Sequence, residues 1–309
     1  MRRYRMLALG ATLLAVIAAC SSGGSSKPTI KIGSVGFDEA RVMAEVYAQA
    51  LEANGYTIDR AGIGLGARPV VAPAIESGQI ELQPEYIGSR VAYYGGTPTG
   101  NSDENLTNLN ELAGAKGLTA LNYTPAIDTN AFVVTADTAA EHSLTTIGDL
   151  AAVQGELNWG LPEDCPTNPL CGAAGGALEQ YGITADTVAG ATLLPACDTP
   201  MAEALRLGTI DVAELCSTQP DIIVNGWVIL EDDLSTQPAD NMAPLIRNDL
   251  LAKVDRATFD KILNDVSARI DTTTLANLYK QVAVDQMDPA DVARVWLQAN
   301  GFVQAPSAT

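Results

Sequence analysis

Apolar residues along this chain fall into two alternating rhythms. The stretch "TIKIGS" (29–34) alternates β-branched and polar positions, as a half-buried strand does, and a helix is predicted over 38–54. In that helix Ala40, Met43, Ala44, Tyr47, Ala50 and Leu51 share one face, and Gly55 is placed to end it. Strand and helix signals keep alternating to about residue 230, with helices near 137–142 and from Thr146. Two stretches follow the same local grammar, "PVVAPAIESGQIEL" (69–82) and "PMAEALRLGTIDV" (200–212). Each opens a helix on a proline, closes it at Gly78 or Gly208, and passes into a strand through Ile80-Glu81 or Ile210-Asp211. Polar loops follow, "PEYIGS" and "CSTQPD", the first leaving its strand at the proline. Beyond Leu245 the pattern is helical. Phe259, Ile262, Leu263, Val266 and Ile270 form one stripe; Val292, Val295, Trp296 and Ala299 form another between Asp288-Pro289 and Gly301.

Alternating strands and helices predict an α/β protein with mostly parallel sheets and ligand sites at the C-terminal ends of strands. A helix–glycine–strand unit repeated half a chain apart predicts two such lobes. The expected division is lobe one at 29–126 and 226–303, and lobe two at 127–225. The chain then crosses twice, near Pro125 and near Asn225, which makes a hinge.

The first thirty residues change the picture of where the chain works. Arg2, Arg3 and Arg5 precede an apolar run from Met6 to Ala19, 14 residues long and short of the ~20 a spanning helix needs. This reads as a signal peptide over 1–19. Ile17-Ala18-Ala19-Cys20 resembles a bacterial lipobox, so Cys20 is expected to carry lipid, with 20–28 as a flexible tether; a plain cleavage site beside a chance cysteine is the alternative. Without residues 1–19 the chain keeps 15 basic and 37 acidic residues, a net charge of −22. Such a surface repels nucleic acid phosphates. With 47% apolar residues the chain is globular, in one large domain or two lobes.

Cys165, Cys171, Cys197 and Cys216 remain, an even number for an oxidising compartment, and four cysteines allow three pairings. "CPTNPLC" reads as a stapled loop, Cys165–Cys171, which leaves Cys197–Cys216. A metal cluster would want tighter spacing and histidine. No metal and no cofactor is expected. The one histidine, His142, stands at a helix end, and no GxSxG nucleophile motif is present. "GIGLGA" (62–67) meets the dinucleotide pattern loosely; a tight turn before the Pro69 helix explains it as well. An acid–base enzyme using Glu39 and Asp128, and a surface lipoprotein without a transport role, are the alternatives to a binding protein.

Candidate binding residues cluster at strand ends. "SVGFDEA" offers Ser34, Phe37 and Glu39; "PEYIGS" offers Tyr86 and Ser89; "IDTNAF" at the first crossing offers Asp128, Thr129 and Asn130; "ACDT" and "CSTQPD" offer Asp198, Ser217 and Thr218. Each could be a turn or cap residue taken singly. Tyr86 is expected to face the cleft and to pack only when the lobes close.

At these residues the chain resembles the substrate-binding proteins of osmoprotectant ABC importers, the glycine betaine/choline/carnitine-binding family. The family's N-F-T-E-like loop is matched by "GFDEA", its passage into Y-P-E-Y-T-G-T by "IESGQIELQPEYIGS", its N-T-Y-A-L-like crossing by "DTNAF", and its S-T-D loop by "CSTQPD". "VILEDD" (228–233) matches the segment after the return crossing. The resemblance spans 29–303 and implies a two-lobed periplasmic-binding-protein fold of type II, a monomer outside the cytoplasm, a small-molecule ligand, and an ABC permease with its ATPase as partners. It also implies an aromatic cage for a quaternary ammonium, each cation–π contact being worth about 0.5–2 kcal/mol. Tyr86 matches one cage position, whereas Gln83, Asn130, Ala202 and Asn225 stand where others are expected. Phe37, Phe132 and Trp227 are the aromatics left to substitute, and the amides and hydroxyls favour a ligand read by hydrogen bonds.

Overall fold

The computed structural model describes residues 27–195, 197 and 199–304, so Cys20, the signal segment and Asp198 lie outside the described residues. Two five-stranded sheets organise the chain. The first has the order β2-β1-β3-β10-β4, from β1 (Thr29–Val35), β2 (Thr57–Gly66), β3 (Leu82–Tyr86), β4 (Leu118–Ala120) and β10 (Met242–Arg247). The second has the order β7-β6-β8-β5-β9, from β5 (Asn130–Val134), β6 (Trp159–Pro162), β7 (Thr192–Leu194), β8 (Val212–Cys216) and β9 (Val228–Ile229). Both sheets are mixed rather than mostly parallel. β1 and β6 pair in parallel with both neighbours, while β10 and β5 run antiparallel beside β3 and β8. Each antiparallel strand is the one the chain reaches by crossing over, so it enters its sheet from the cleft end.

The repeated sequence unit has a repeated structural meaning. After the helix Arg68–Ser77 ends at Gly78, which adopts φ +84°, Glu81 donates its N–H to Lys31 O at 2.7 Å and accepts Lys31 N–H on Oε2 at 3.1 Å. In the second sheet Asp211 makes the same pair with Asn158, at 2.7 and 2.8 Å. These acidic residues are backbone latches. The isoleucine before each latch presses on a glycine of the neighbouring strand, β1 or β6: a Cβ on Gly33 would come 2.6 Å from Ile80 Cδ1, and one on Gly160 would come 2.3 Å from Ile210 Cδ1. "GIGLGA" proves to be the end of β2 rather than a turn. A Cβ on Gly62 would also strike Ile80, at 2.4 Å, so that glycine serves close packing.

Strand β3 does not end at Pro84. It runs on to Tyr86 with Pro84 opposite Pro244, so that rung of the ladder carries no N–H donor at all. The helix Asp38–Ala53 is buried almost all round, Val42, Val46 and Ala48 included, because the C-terminal helices Arg256–Ser267, Thr272–Ala283 and Pro289–Ala299 wrap it. Phe259, Leu263, Val266, Val292 and Leu297 join its core, while Val295 faces outward, 52% exposed.

The return crossing lies later than expected. β9 pairs with β5, and Glu231 N–H donates to Thr145 O, so 228–233 belongs with the second sheet and "VILEDD" precedes the crossing. The two crossings run side by side: Ile127 bridges Asn241, and Asp128 N–H donates to Asp240 O at 3.1 Å. Asn241 Nδ2 ties the strands further by donating to Thr124 O and Ala126 O, each at 3.0 Å.

Candidate functional site

A cavity of about 300 Å³ opens where the crossings meet the two sheets. Gly88, Ser89 and Ala92 of the helix after β3 form one wall; Asn130, Cys216 and Leu170 form the other; Asp128, Thr129, Pro238 and Asp240 supply the hinge side. Four residues expected from sequence therefore line it: Ser89, Asp128, Thr129 and Asn130. A larger hollow of about 470 Å³ lies among Ala50, Asn54, Lys261, Ile262 and Phe302, where Lys261 is already paired with Asp265.

The cavity is acidic. Asp240 accepts from Ser89 N–H at 3.0 Å and from the Ser89 hydroxyl, and burial raises its pKa to about 6 against the help of those bonds. Asp128 accepts from Thr218 Oγ1 at 2.9 Å, and burial raises it too. Behind them Glu39 is 1% exposed, pushed up to about 8 by burial first and then by the charge of Asp128. The Tyr86 hydroxyl donates to Glu39 Oε1, and Oε2 is buried without a partner. At neutral pH the site therefore holds protons that free carboxylates would have lost.

Other expected residues have structural roles. Ser34 donates to Val35 O and accepts Gly64 N–H, bracing β1 against β2 through its bulged register. Ser217 donates to Ile127 O and accepts Thr129 N–H, pinning β8 to the first crossing. Tyr86 is 4% exposed and belongs to the first lobe's core, so its ring is a wall behind the site. Phe37, 48% exposed, packs on it with ring centroids 5.8 Å apart. Glu85, next to it in β3, is held by Arg68, Arg90, Gln83 Nε2 and the Tyr86 N–H, and so anchors the end of the strand from within.

Among the described residues no aromatic ring lines the cavity. Phe132 is buried against Trp159 in the second lobe, Trp227 packs on that lobe's other core face, Ala202 is buried there, and Asn225 is exposed at a helix end. Phe37 and Tyr86 pair behind the cavity, and Tyr279 lies near enough to Glu39 and Asp128 to feel their charge. Sequence reading missed Asp240 and Leu170. Asp240 carries no local signal, since "PADN" comes to stand opposite "AIDT" only through the pairing of the two crossings; Leu170 comes from inside the stapled loop.

Both disulfides form, Cys165–Cys171 and Cys197–Cys216, and each holds a cavity wall. Cys165, Cys171 and Glu214 bring two sulfurs and a carboxyl within 4.8 Å, but a disulfide offers no thiolate to a metal. Glu214 lies 3.0 Å from Cys171 Sγ and is raised to about 8 by burial and by Asp164, which suits a protonated carboxyl against sulfur.

Residues 28–299 match the OpuAC family model, the substrate binding domain of ABC-type glycine betaine transport systems. The chain belongs to this family. Relatives cover nearly its whole length. The glycine betaine-binding protein YehZ of Escherichia coli is 25% identical over 97% of this chain and 99% of its own. The carnitine transport binding protein OpuCC of Listeria monocytogenes is 24% identical over 91% of this chain and 90% of its own. A crystal structure of a glycine betaine/carnitine/choline ABC transporter protein superposes with a TM-score of 0.77 at 20% identity, covering 88% of this chain and 99% of that one, which establishes the two-lobed fold. The family is one of transport binding proteins rather than of enzymes. Among the described residues no helix is long and apolar enough to cross a membrane.

Proposed function

We propose that the chain is the extracytoplasmic receptor of an ABC importer, taking a small polar, zwitterionic or quaternary-ammonium solute of the osmoprotectant kind between its lobes. The family match over 28–299, with a cavity seated at the paired crossings, carries this reading. The permease and its ATPase subunits are the partners such a protein delivers to. Cys20 is the lipid attachment point, and 20–28 the tether that lets the lobes reach the permease.

A thermal-shift screen over betaines, choline, carnitine, amino acids and polyols tests the receptor reading. A true ligand at 100 times its Kd adds about 2.7 kcal/mol of stability. If no solute in these classes stabilises the protein, the reading fails. Cys20→Ala is expected to move the protein from the membrane fraction to the soluble one with its melting temperature unchanged. Continued membrane association of that variant would exclude lipid as the anchor.

A further inference from the structure

The helix Thr272–Ala283 stands where the two lobes meet. It packs on the helix Asp38–Ala53 of the first lobe and on the short helix Pro220–Asn225 of the second. Leu275, Leu278 and Val282 turn its apolar face into the first lobe's core. Tyr279 follows one turn after Leu275 and Ala276, at the rim of that face, and is only partly buried. Asp38, Glu39, Asp128 and Asp221 all bear on it electrostatically, and their positions locate the ring. Asp38 and Glu39 open the first-lobe helix, Asp221 opens the second-lobe helix, and Asp128 lines the cavity. Tyr279 thus stands between the lobes, behind the cavity and next to its acidic wall. Among the described residues its hydroxyl makes no hydrogen bond, so no polar partner holds it there. Phe37 flanks the same first turn as the residue before Asp38. It leans on Tyr86 at a tilt of 34° and leaves much of its ring open, 48% exposed.

We propose that Tyr279 is a specificity-determining residue of the ligand site, its ring closing with the open face of Phe37 on the methylated ammonium of the ligand. The inference rests on the receptor reading and deepens it. A tetraalkylated nitrogen has no N–H to donate and is held by aromatic faces around its methyl groups. Gln83, Asn130, Ala202 and Asn225 offer no such face. The faces come instead from the end of β1 and from a C-terminal helix, and the ligand space runs from the cavity past Asp128 to these two rings. The helix that carries Tyr279 also touches Pro220–Asn225 of the second lobe. The setting of the ring therefore depends on how the lobes stand to each other, so selectivity and closure meet at one residue.

The probes are choline, glycine betaine and 3,3-dimethylbutan-1-ol, the uncharged isostere of choline, measured by calorimetry on the full folded chain. The quantity read is the preference for choline over its isostere, which isolates the attraction between cation and ring. Tyr279→Leu is expected to reduce that preference by about 2–30-fold, the span of one cation–π contact. Tyr279→Phe keeps the face and should keep the preference. Phe37→Leu should act as Tyr279→Leu does, and provides a second variant should the first fail to fold. A purely structural tyrosine would change melting temperature, or weaken both probes alike, and leave the ratio where it was. An unchanged ratio in both leucine variants overturns the inference and leaves the receptor reading standing. Loss of the preference in Tyr279→Phe as well would assign it to the hydroxyl and overturn the aromatic role. The inference also falls, alone, if the unaltered protein binds only polyols or amino acids. If it binds no solute of any of these classes, both fall.

Discussion

The hydroxyl of Tyr86 donates to Oε1 of Glu39, tying the end of β3 to the first turn of the helix that follows β1. Both side chains are buried, one in the core of the first lobe and the other behind the cavity. This bond makes the tyrosine a support for the site's most perturbed acid rather than a free cleft aromatic.

Tyr86→Phe and Tyr86→Ala should therefore separate clearly. Loss of the hydroxyl removes one donor from a buried carboxyl, an expected cost of about 1–2 kcal/mol. Loss of the ring leaves a cavity and should cost about 3–5 kcal/mol, as for other large buried aromatics. Urea unfolding of the ligand-free variants measures both. An unchanged midpoint for Tyr86→Ala would mean that the ring is not part of the core.

The buried acids give the ligand-free protein an inverted response to pH. Glu39 and Glu214 are each raised to about 8, Asp240 to about 6, and Asp128 is raised as well. The unfolded chain ionises these groups near their ordinary values, about pH 4. Between there and pH 8 the folded state binds more protons than the unfolded one, so stability falls as pH rises. Carboxylates held low, such as Asp149 at about 2, are ionised in both states across this window and do not change the sign. Melting temperature should decline from pH 5 to pH 8. Glu39→Gln and Glu214→Gln should each flatten the decline, and additively, since they lie in different lobes. A rise over this interval would contradict the burial assigned to these groups.

Much of this architecture was legible in the chain, and the limits follow from what a local pattern encodes. Periodicity placed the helix at 38–54 and the two glycine-terminated helices, because each signal is complete within a dozen residues. The repeat "ESGQIEL" and "RLGTIDV" pointed to equivalent units, and these feed the equivalent strands β3 and β8. The antiparallel placement of β5 and β10 was not legible, since a strand does not state which distant edge it joins. Asp240 was missed for the same reason. Its neighbour in space, Asp128, is more than a hundred residues away in sequence. Ser34 and Ser217 show the converse difficulty: hydroxyls at strand ends that bond to backbone look, in sequence, like hydroxyls free for a ligand.

The Gly33–Ile80 and Gly160–Ile210 contacts offer a matched pair of repacking experiments. Gly33→Ala or Gly160→Ala alone should cost about 1–3 kcal/mol, the usual range for overpacking. Ile80→Val or Ile210→Val in the same lobe should recover part of that loss, whereas the isoleucine change in the other lobe should not. Four single variants and four doubles, followed by chemical denaturation, test whether the two units are equivalent. Equal recovery by either isoleucine change would show that the contact is not the source of the strain.

The two disulfides should differ in worth by the lengths of chain they close. Cys165–Cys171 spans 6 positions and Cys197–Cys216 spans 19. Loop-closure entropy gives about 2 kcal/mol for the first and about 3 kcal/mol for the second. Replacing each pair with serine and comparing unfolding midpoints checks the order. Binding should suffer in both variants, because Leu170 and Cys216 stand in the cavity wall.

The place of β10 sets an order of events in synthesis. This strand lies between β3 and β4, yet it is the last strand in the chain. A nascent chain that has released β1 to β4 holds a sheet with an open seam: β3 has an unpaired edge, and β4 has no neighbour at all. The seam closes only after the second sheet has been made and the chain has returned through residue 242. Truncation anywhere before that point should yield an aggregation-prone fragment with exposed strand edges rather than a stable first lobe. The hinge and the completion of the first sheet thus depend on the same late passage of chain.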